Sequence, residues 1–324
     1  MKRLVSITYL ILLLLMLPGP TRAMDMELAP YRKLSNLSGK LRSVGSDTLG
    51  NEMRLWAEAF REFYPNVTID IESKGSNTAP PALLEGSAQL APMSRQMTDD
   101  EIEQFRKKYG YKPTAVLVAI DALAIYVNKE NPLQCITIEQ LDRVFGAEHK
   151  TTQNLSIHSW GELGLAGEWA NKPVDIYGRN DLSGTYRFFK QKVLASGDYK
   201  TTIKTEEGSE ALVKSIENNK TGIGYSSVGY KSNDVKIVAI NTKGKCFDPS
   251  FENTYSRKYP LARGLFVYIL KDPKTSMDPI AAEFVKYILS KDGQSFANHA
   301  GYYPITNKIR DFELTRLGLM DLSK

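Results

Sequence analysis

The sequence predicts an α/β fold with a mostly parallel sheet, because segments with strand character alternate with amphipathic helical segments from residue 41 onward. Its 324 residues suffice for about two domains, and no internal repeat or low-complexity tract interrupts the alternation. Residues 24–37 are polar and irregular, a loose arm. Residues 41–45 (LRSVG) read as a short strand ending in a glycine turn. Leu49, Met53, Trp56, Phe60 and Phe63 then recur at spacings of four, three, four and three, one apolar helix face. Ser46, Asp47 and Thr48 precede it where capping residues belong, and Tyr64-Pro65-Asn66 stops it. Residues 67–71 alternate as a strand. Gly75-Ser76-Asn77-Thr78 is a turn, and Pro80-Pro81 suit the first turn of the next helix.

Residues 89–93 form a short apolar segment leading into Ser94-Arg95, and Thr98-Asp99-Asp100-Glu101 opens a helix with acids in its first turn. A long apolar run covers 116–128, and a short amphipathic helix 137–145. Trp160-Gly161-Glu162-Leu163 and the glycines after it read as a surface excursion. Residues 174–178 form a strand; Ser183-Gly184-Thr185 starts a helix that turns Phe188, Phe189, Val193 and Leu194 inward. Further strands are expected over 223–225, 235–240 and 266–270, with closing helices over 279–289 and near Ile309.

Composition excludes several classes. Hydrophobic residues make up 42% and charged residues 24%, which is ordinary for a globular chain and unlike disordered, collagen-like or polytopic membrane sequence. Two cysteines exclude a disulfide scaffold and any four-cysteine metal module. The formal charge of +5 includes an N-terminal segment with the order of a cleaved secretory signal: Lys2 and Arg3, an uncharged apolar run over 4–17, Pro18-Gly19-Pro20, and Thr21-Arg22-Ala23 as a cleavage site after Ala23. Removal of residues 1–23 takes three of the 42 basic residues and none of the 37 acids, leaving +2. So small an excess gives no electrostatic case for nucleic acid. Export would permit a Cys135–Cys246 disulfide; two buried free thiols are the other arrangement, and spacing does not choose between them.

Catalytic, metal and nucleotide motifs are missing. His149, His158 and His299 have no partner at i+4 and no ligand cluster nearby, so no metal site is expected. There is no G-x-S-x-G elbow, no G-x-G-x-x-G and no Walker A sequence. No catalytic residue and no cofactor are assigned.

A small polar cluster does recur between strand and helix: Gly45-Ser46-Asp47-Thr48, Gly75-Ser76-Asn77-Thr78, and Arg179-Asn180-Asp181-Leu182-Ser183-Gly184-Thr185. Helix N-termini carry unpaired N–H groups and the positive end of the helix dipole. With hydroxyls and one arginine they suit a small tetrahedral oxyanion.

These residues carry a family resemblance. V-G-S-D-T before a helix containing Trp56, K-G-S-N-T, A-P-M-S-R, D-A-L-A-I-Y-V-N followed by Asn131-Pro132, and R-N-D-L-S-G-T together resemble the PstS-like phosphate-binding proteins of bacterial ABC transporters. Tyr259-Pro260-Leu261-Ala262-Arg263 resembles that family's late strand back into the first lobe, and the resemblance spans about residues 40–305. It implies a two-lobe periplasmic binding protein fold of type II, with each lobe a mixed, mostly parallel sheet flanked by helices. Residues 24–119 and 260–324 would form lobe I, and residues 120–259 lobe II.

The resemblance also implies roles. Asp47 and Thr48 stand where the family offers a hydroxyl and the next backbone N–H, with Ser46 beside them as a further expected ligand, and Ser76 matches the donor of the second turn. Arg179, Ser183, Gly184 and Thr185 match the arginine, serine and backbone donors of the other lobe. Ser94 falls where the best-known members carry an aspartate that accepts the proton of phosphate, and a hydroxyl accepts only weakly. Asp47 either supplies the missing acceptor or merely caps its helix, and Arg95 either adds positive charge or pairs with Asp47, or is a solvated or structural arginine. The implied protein is an exported, monomeric solute-binding protein that captures inorganic phosphate and delivers it to ABC permease subunits in the membrane, without nucleic acid. Sulfate, molybdate, or a sensory role without transport are the alternatives.

Overall fold

A computed structural model describes residues 28–33, 36–151 and 155–320; the signal peptide expected over 1–23 lies outside the described residues. The chain runs β1 (Gly39–Val44), α1 (Gly50–Phe63), β2 (Val67–Glu72), a 3₁₀ turn (Ser76–Thr78), α2 (Ala79–Glu85), β3 (Leu90–Met93), α3 (Asp99–Tyr109) and the long β4 (Thr114–Asn128). It continues with β5 (Cys135–Thr137), α4 (Ile138–Phe145), β6 (Asp175–Arg179), α5 (Gly184–Lys192), β7 (Lys204–Glu206), α6 (Ser209–Glu217), β8 (Gly222–Ser227), β9 (Val235–Thr242) and β10 (Lys245–Phe247). It ends with α7 (Phe251–Tyr255), β11 (Ala262–Ile269), α8 (Pro279–Ile288), α9 (Lys291–His299) and α10 (Asn307–Leu317).

The strands form a mixed sheet ordered β2-β1-β3-β11-β4-β8-β6-β7, with β9 adding to β4 and carrying β5 and β10. Parallel pairing joins β1 to β2 and β3, and β6 to β7 and β8; β7 and α6 are elements the sequence reading did not place. Antiparallel pairing comes from β4 and β11, which run the chain from one half of the molecule to the other and back. The change of partner falls inside β4: residues up to Ala122 pair with β11, and those from Leu123 pair with β8 and β9.

Each half has its own core. On one side Met53, Trp56 and Phe60 of α1, spaced as the sequence predicted, pack with Phe284, Val285 and Ile288 of α8 against β4 and β11. Trp56 is fully buried, and its Nε1–H donates to the carbonyl of Gly293 at 2.8 Å. The other half packs Leu141 and Phe145 of α4 and Phe189 of α5 against Ile125, Ile223 and Val238. Trp160 corrects the sequence reading: its segment is a loop of short 3₁₀ turns, but Trp160 is fully buried, edge-on to Trp169 at 6.0 Å. The glycines there allow a tight course around a buried indole rather than an exposed excursion.

Cys135 and Cys246 are disulfide-bonded, with Cα atoms 6.1 Å apart. Both flank β9, β5 parallel to it and β10 antiparallel, so the bridge staples the edge of the second half. It spans a sequence separation of 111 residues; by its effect on the unfolded chain a bridge of this kind contributes about 2–4 kcal/mol.

Candidate functional site

The three strand-to-helix clusters meet where the two halves touch. In the first half the turn after β1 is held by Ser46, whose backbone N–H donates to the Pro92 carbonyl at 2.8 Å and whose Oγ accepts from Leu49 N–H at 3.3 Å. The second turn is tied to it by a bond from Gly75 N–H to the Gly45 carbonyl, 2.8 Å. Gly75 has φ +132°, and a Cβ on it would lie 2.4 Å from the Leu182 carbonyl oxygen of the other half. Only glycine permits that backbone and that approach. Ser76 Oγ accepts from Ser94 N–H at 3.0 Å and sits 3.2 Å from Ser94 Oγ.

From the other half, β6 ends at Arg179 and α5 begins after Ser183. The Ser183 hydroxyl caps α5, accepting from Thr185 and Tyr186 N–H at 3.1 and 3.3 Å. Gly184 is pressed against the opposite half: a Cβ there would stand 2.3 Å from Ser76 Oγ and 2.6 Å from Ser94 Oγ. Thr185 Oγ1 faces Thr48 Oγ1 at 3.0 Å, joining the first turn of α5 to the turn that leads into α1. The Thr48 carbonyl is in turn fixed by the hydroxyls of Tyr230 and Tyr302. All of these serines and threonines are buried.

Arg179 is buried, spends most of its guanidinium inside its own half and makes one contact across to the other, at Asp47. Nη1 donates to Ser209 Oγ at 2.8 Å, Nε and Nη2 donate to the carbonyls of Glu206 and Glu207, and Nη2 lies 3.1 Å from Asp47 Oδ2. Asp47 Oδ2 also accepts from Ser209 N–H and Oγ–H at 2.9 and 2.8 Å. The carboxylate expected to serve as proton acceptor is thus committed, through Oδ2, to a bridge between the halves. Arg95 does not reach Asp47. Its guanidinium forks onto Glu101 at 2.7 and 2.8 Å and onto Asn77 Oδ1, because Glu101, the N3 residue of α3's capping box, lies closer.

Three buried groups beside these turns were not among the expected site residues. Arg263 of β11 pairs across the sheet with Asp121 of β4, Nε to Oδ2 at 2.8 Å and Nη2 to Oδ2 at 2.7 Å. Arg263 Nη2 also donates to Thr185 Oγ1 at 3.0 Å, and Asp121 Oδ1 accepts from Ser227 Oγ at 2.6 Å. Both lie in segments that carry the family resemblance, D-A-L-A-I-Y-V-N and Tyr259–Arg263, but only the cross-strand register brings them together. The third is Glu52, fully buried on α1 one turn after Thr48. Burial, with the nearby Asp121 charge adding to it, raises its carboxyl well above the ordinary range.

Every buried guanidinium at this junction is therefore opposed by a carboxylate. What the junction offers an anion is directional: hydroxyls bonded to one another, and the first turns of α1 and α5 with their positive dipole ends. Among the described residues no cluster of three or more His, Cys, Asp or Glu could hold a metal ion.

Glu52 yields a pH prediction. A carboxyl raised in the folded state favours folding fully below its unfolded value of 4.5, and that contribution is lost as pH rises toward the folded value. Glu52→Gln cannot ionise. The variant is expected to match the wild type in Tm near pH 4 and to exceed it by several degrees at pH 8; parallel Tm–pH curves for the two proteins would contradict the assignment.

Comparison with known proteins places the chain. A family model described as the PBP superfamily domain matches residues 33–292. The phosphate-binding protein PstS of Pseudomonas aeruginosa is 47% identical over 299 residues, covering 92% of this chain and 93% of that protein. Protein SphX of Synechococcus elongatus is 28% identical, covering 89% and 84%. Among solved structures, a Clostridium perfringens protein described as a phosphate ABC transporter substrate-binding protein with bound phosphate superposes with a TM-score of 0.70 at 24% identity. That superposition covers 83% of this chain and 100% of the other.

Proposed function

The chain belongs to the PBP superfamily, in the group of PstS phosphate-binding proteins, and from that membership we propose that it captures inorganic phosphate between its two halves for import by an ABC transporter. The observation that carries this is the meeting of Thr48, Ser76 and Ser94 from one half with Gly184 and Thr185 from the other, at the first turns of α1 and α5. A multiply charged anion is costly to desolvate, so its site must supply many donors at once. Here hydroxyls that bond one another in this conformation would turn their protons to the anion. Backbone N–H groups of the two helix starts would complete the shell, and no net positive charge would be needed. Among the expected site residues, Thr48, Ser76, Ser94, Gly184 and Thr185 line the anion in this proposal. Ser46 and Ser183 shape the turns, Asp47 and Arg179 bridge the halves, and Arg95 braces the loop before α3.

Binding is coupled to closure in the same proposal. Residues 24–119 with 260–324 would move as one lobe and 120–259 as the other, hinged where β4 changes partner and where β11 begins. The contacts made between the halves, including Asn77 to the Leu182 and Asp181 carbonyls, would form as the anion is enclosed. Cleavage after Ala23 would release the protein to the periplasm as a monomer, and ABC permease subunits would receive the phosphate.

A second reading, another tetrahedral oxyanion, is favoured by one observation: Ser94 carries no carboxylate and Asp47 Oδ2 is occupied. Isothermal titration of the mature protein with phosphate, sulfate, arsenate and molybdate separates the two. The phosphate reading expects 1:1 binding of phosphate and arsenate, with sulfate weaker by about 100-fold, some 2.7 kcal/mol. Sulfate or molybdate binding as tightly as phosphate would transfer the site to that anion.

A further inference from the structure

We infer that Arg263 is a ligand of the captured anion and that Asp121 is its positioning residue; this rests on the oxyanion reading above and adds a guanidinium to its site. Arg263 is only 7% exposed, and a buried cation is tolerated when it is paired and its donors are satisfied. Asp121 provides the pair, gripping Nε and Nη2 from the neighbouring strand, and is itself held by Ser227. The face of Phe188 lies 5.3 Å from the guanidinium carbon. One end of the fork stays unmatched: Nη1 is buried and has no hydrogen-bond partner among the described residues. Leaving a buried donor unpaired costs about 1–3 kcal/mol, more for a charged group. An ion pair serving only to fasten β4 to β11 would carry that cost for nothing.

Position explains the spare donor. The Nη2 beside it donates to Thr185 Oγ1, which faces Thr48 Oγ1, so the fork stands behind the hydroxyl pair at the starts of α1 and α5. Arg179, by contrast, has bonds from all three of its nitrogens to protein groups. With Asp121 fixing its plane, an oxyanion at the threonine pair would receive a charge-assisted bond from Nη1 without bringing net positive charge into the core.

The test compares phosphate titration calorimetry of the wild type, Arg263→Lys, Arg263→Met and the double variant Asp121→Asn/Arg263→Met, which leaves no unpaired buried carboxylate. The double variant is expected to fold, by circular dichroism, and to bind phosphate about tenfold more weakly or worse, the size of one lost charge-assisted bond. Arg263→Lys is expected to recover part of that loss. In the wild type, phosphate should shift the guanidinium ¹⁵N resonance assigned to Arg263 by its absence from the Lys variant, a change that a purely structural arginine would not show. A folded double variant within twofold of wild-type affinity, or an unmoved Arg263 resonance at saturating phosphate, overturns the inference. If the variants do not fold, the wild-type resonance, assigned then by through-bond correlation from the Arg263 backbone, decides alone. If the wild type takes no phosphate, the phosphate reading fails by itself, and the same comparison with sulfate or molybdate judges Arg263. A wild type that binds none of these anions overturns both.

Discussion

A Gly184→Ala variant is expected to keep its fold and to lose phosphate affinity by about 100-fold or more, roughly 2.7 kcal/mol. The added methyl would lie 2.3 Å from Ser76 Oγ and 2.6 Å from Ser94 Oγ, closer than real Cβ contacts allow. Neither serine can give way easily, since Ser94 N–H is bonded to Ser76 Oγ and both are buried. Both belong to the other half of the molecule, so the clash exists only when the halves are together. Gly184 is the first residue of α5, where alanine favours helix more than glycine does. The phosphate-free variant should therefore be at least as stable as the wild type in a thermal melt. Wild-type affinity in a folded Gly184→Ala protein would mean that the anion is not enclosed at this junction.

Arg179→Ala is expected to weaken phosphate binding at least tenfold, about 1.4 kcal/mol. The guanidinium is the centre of the bridge from β6 to Asp47 and Ser209. Its loss opens the bridge and also leaves the Asp47 carboxylate without its cation beside an incoming anion. Asp47→Asn in the same chain removes that repulsion, so the double variant should bind phosphate more tightly than Arg179→Ala alone. Titration calorimetry of the two single variants and the double closes the cycle. An Arg179→Ala protein with near wild-type affinity would remove the bridge from the account.

Legibility in the sequence followed the range of each interaction. The α1 face, the capping of α3 and α5, the turn at Gly75 and the long apolar β4 depend on residues a few positions apart, and each is where periodicity and turn chemistry put it. The three-residue strands β5, β7 and β10 are too short to display alternation, and α9, with Gly293 and few apolar residues, has little helical pattern of its own. At the site, the clusters containing Thr48, Ser76 and Gly184 could be read because helix starts favour those residue types. Arg263, Asp121 and Ser209 could not, since their partners are supplied by strand register and by the meeting of the halves. Asp47 and Arg95 were seen as charges, but which opposite charge each would meet depended on tertiary proximity: Arg179 for the first and Glu101 for the second.

The most direct test of anion capture between the halves is a high-resolution crystal structure of the mature protein with phosphate. One tetrahedral anion is expected, enclosed at the starts of α1 and α5, within hydrogen-bond distance of Thr48, Ser76, the Gly184 N–H and Thr185. Phosphate bound elsewhere, for example only in a separate surface cleft lined by Arg187, Lys190 and Lys192, with the Thr48–Thr185 and Ser76–Ser94 contacts unchanged, would contradict this.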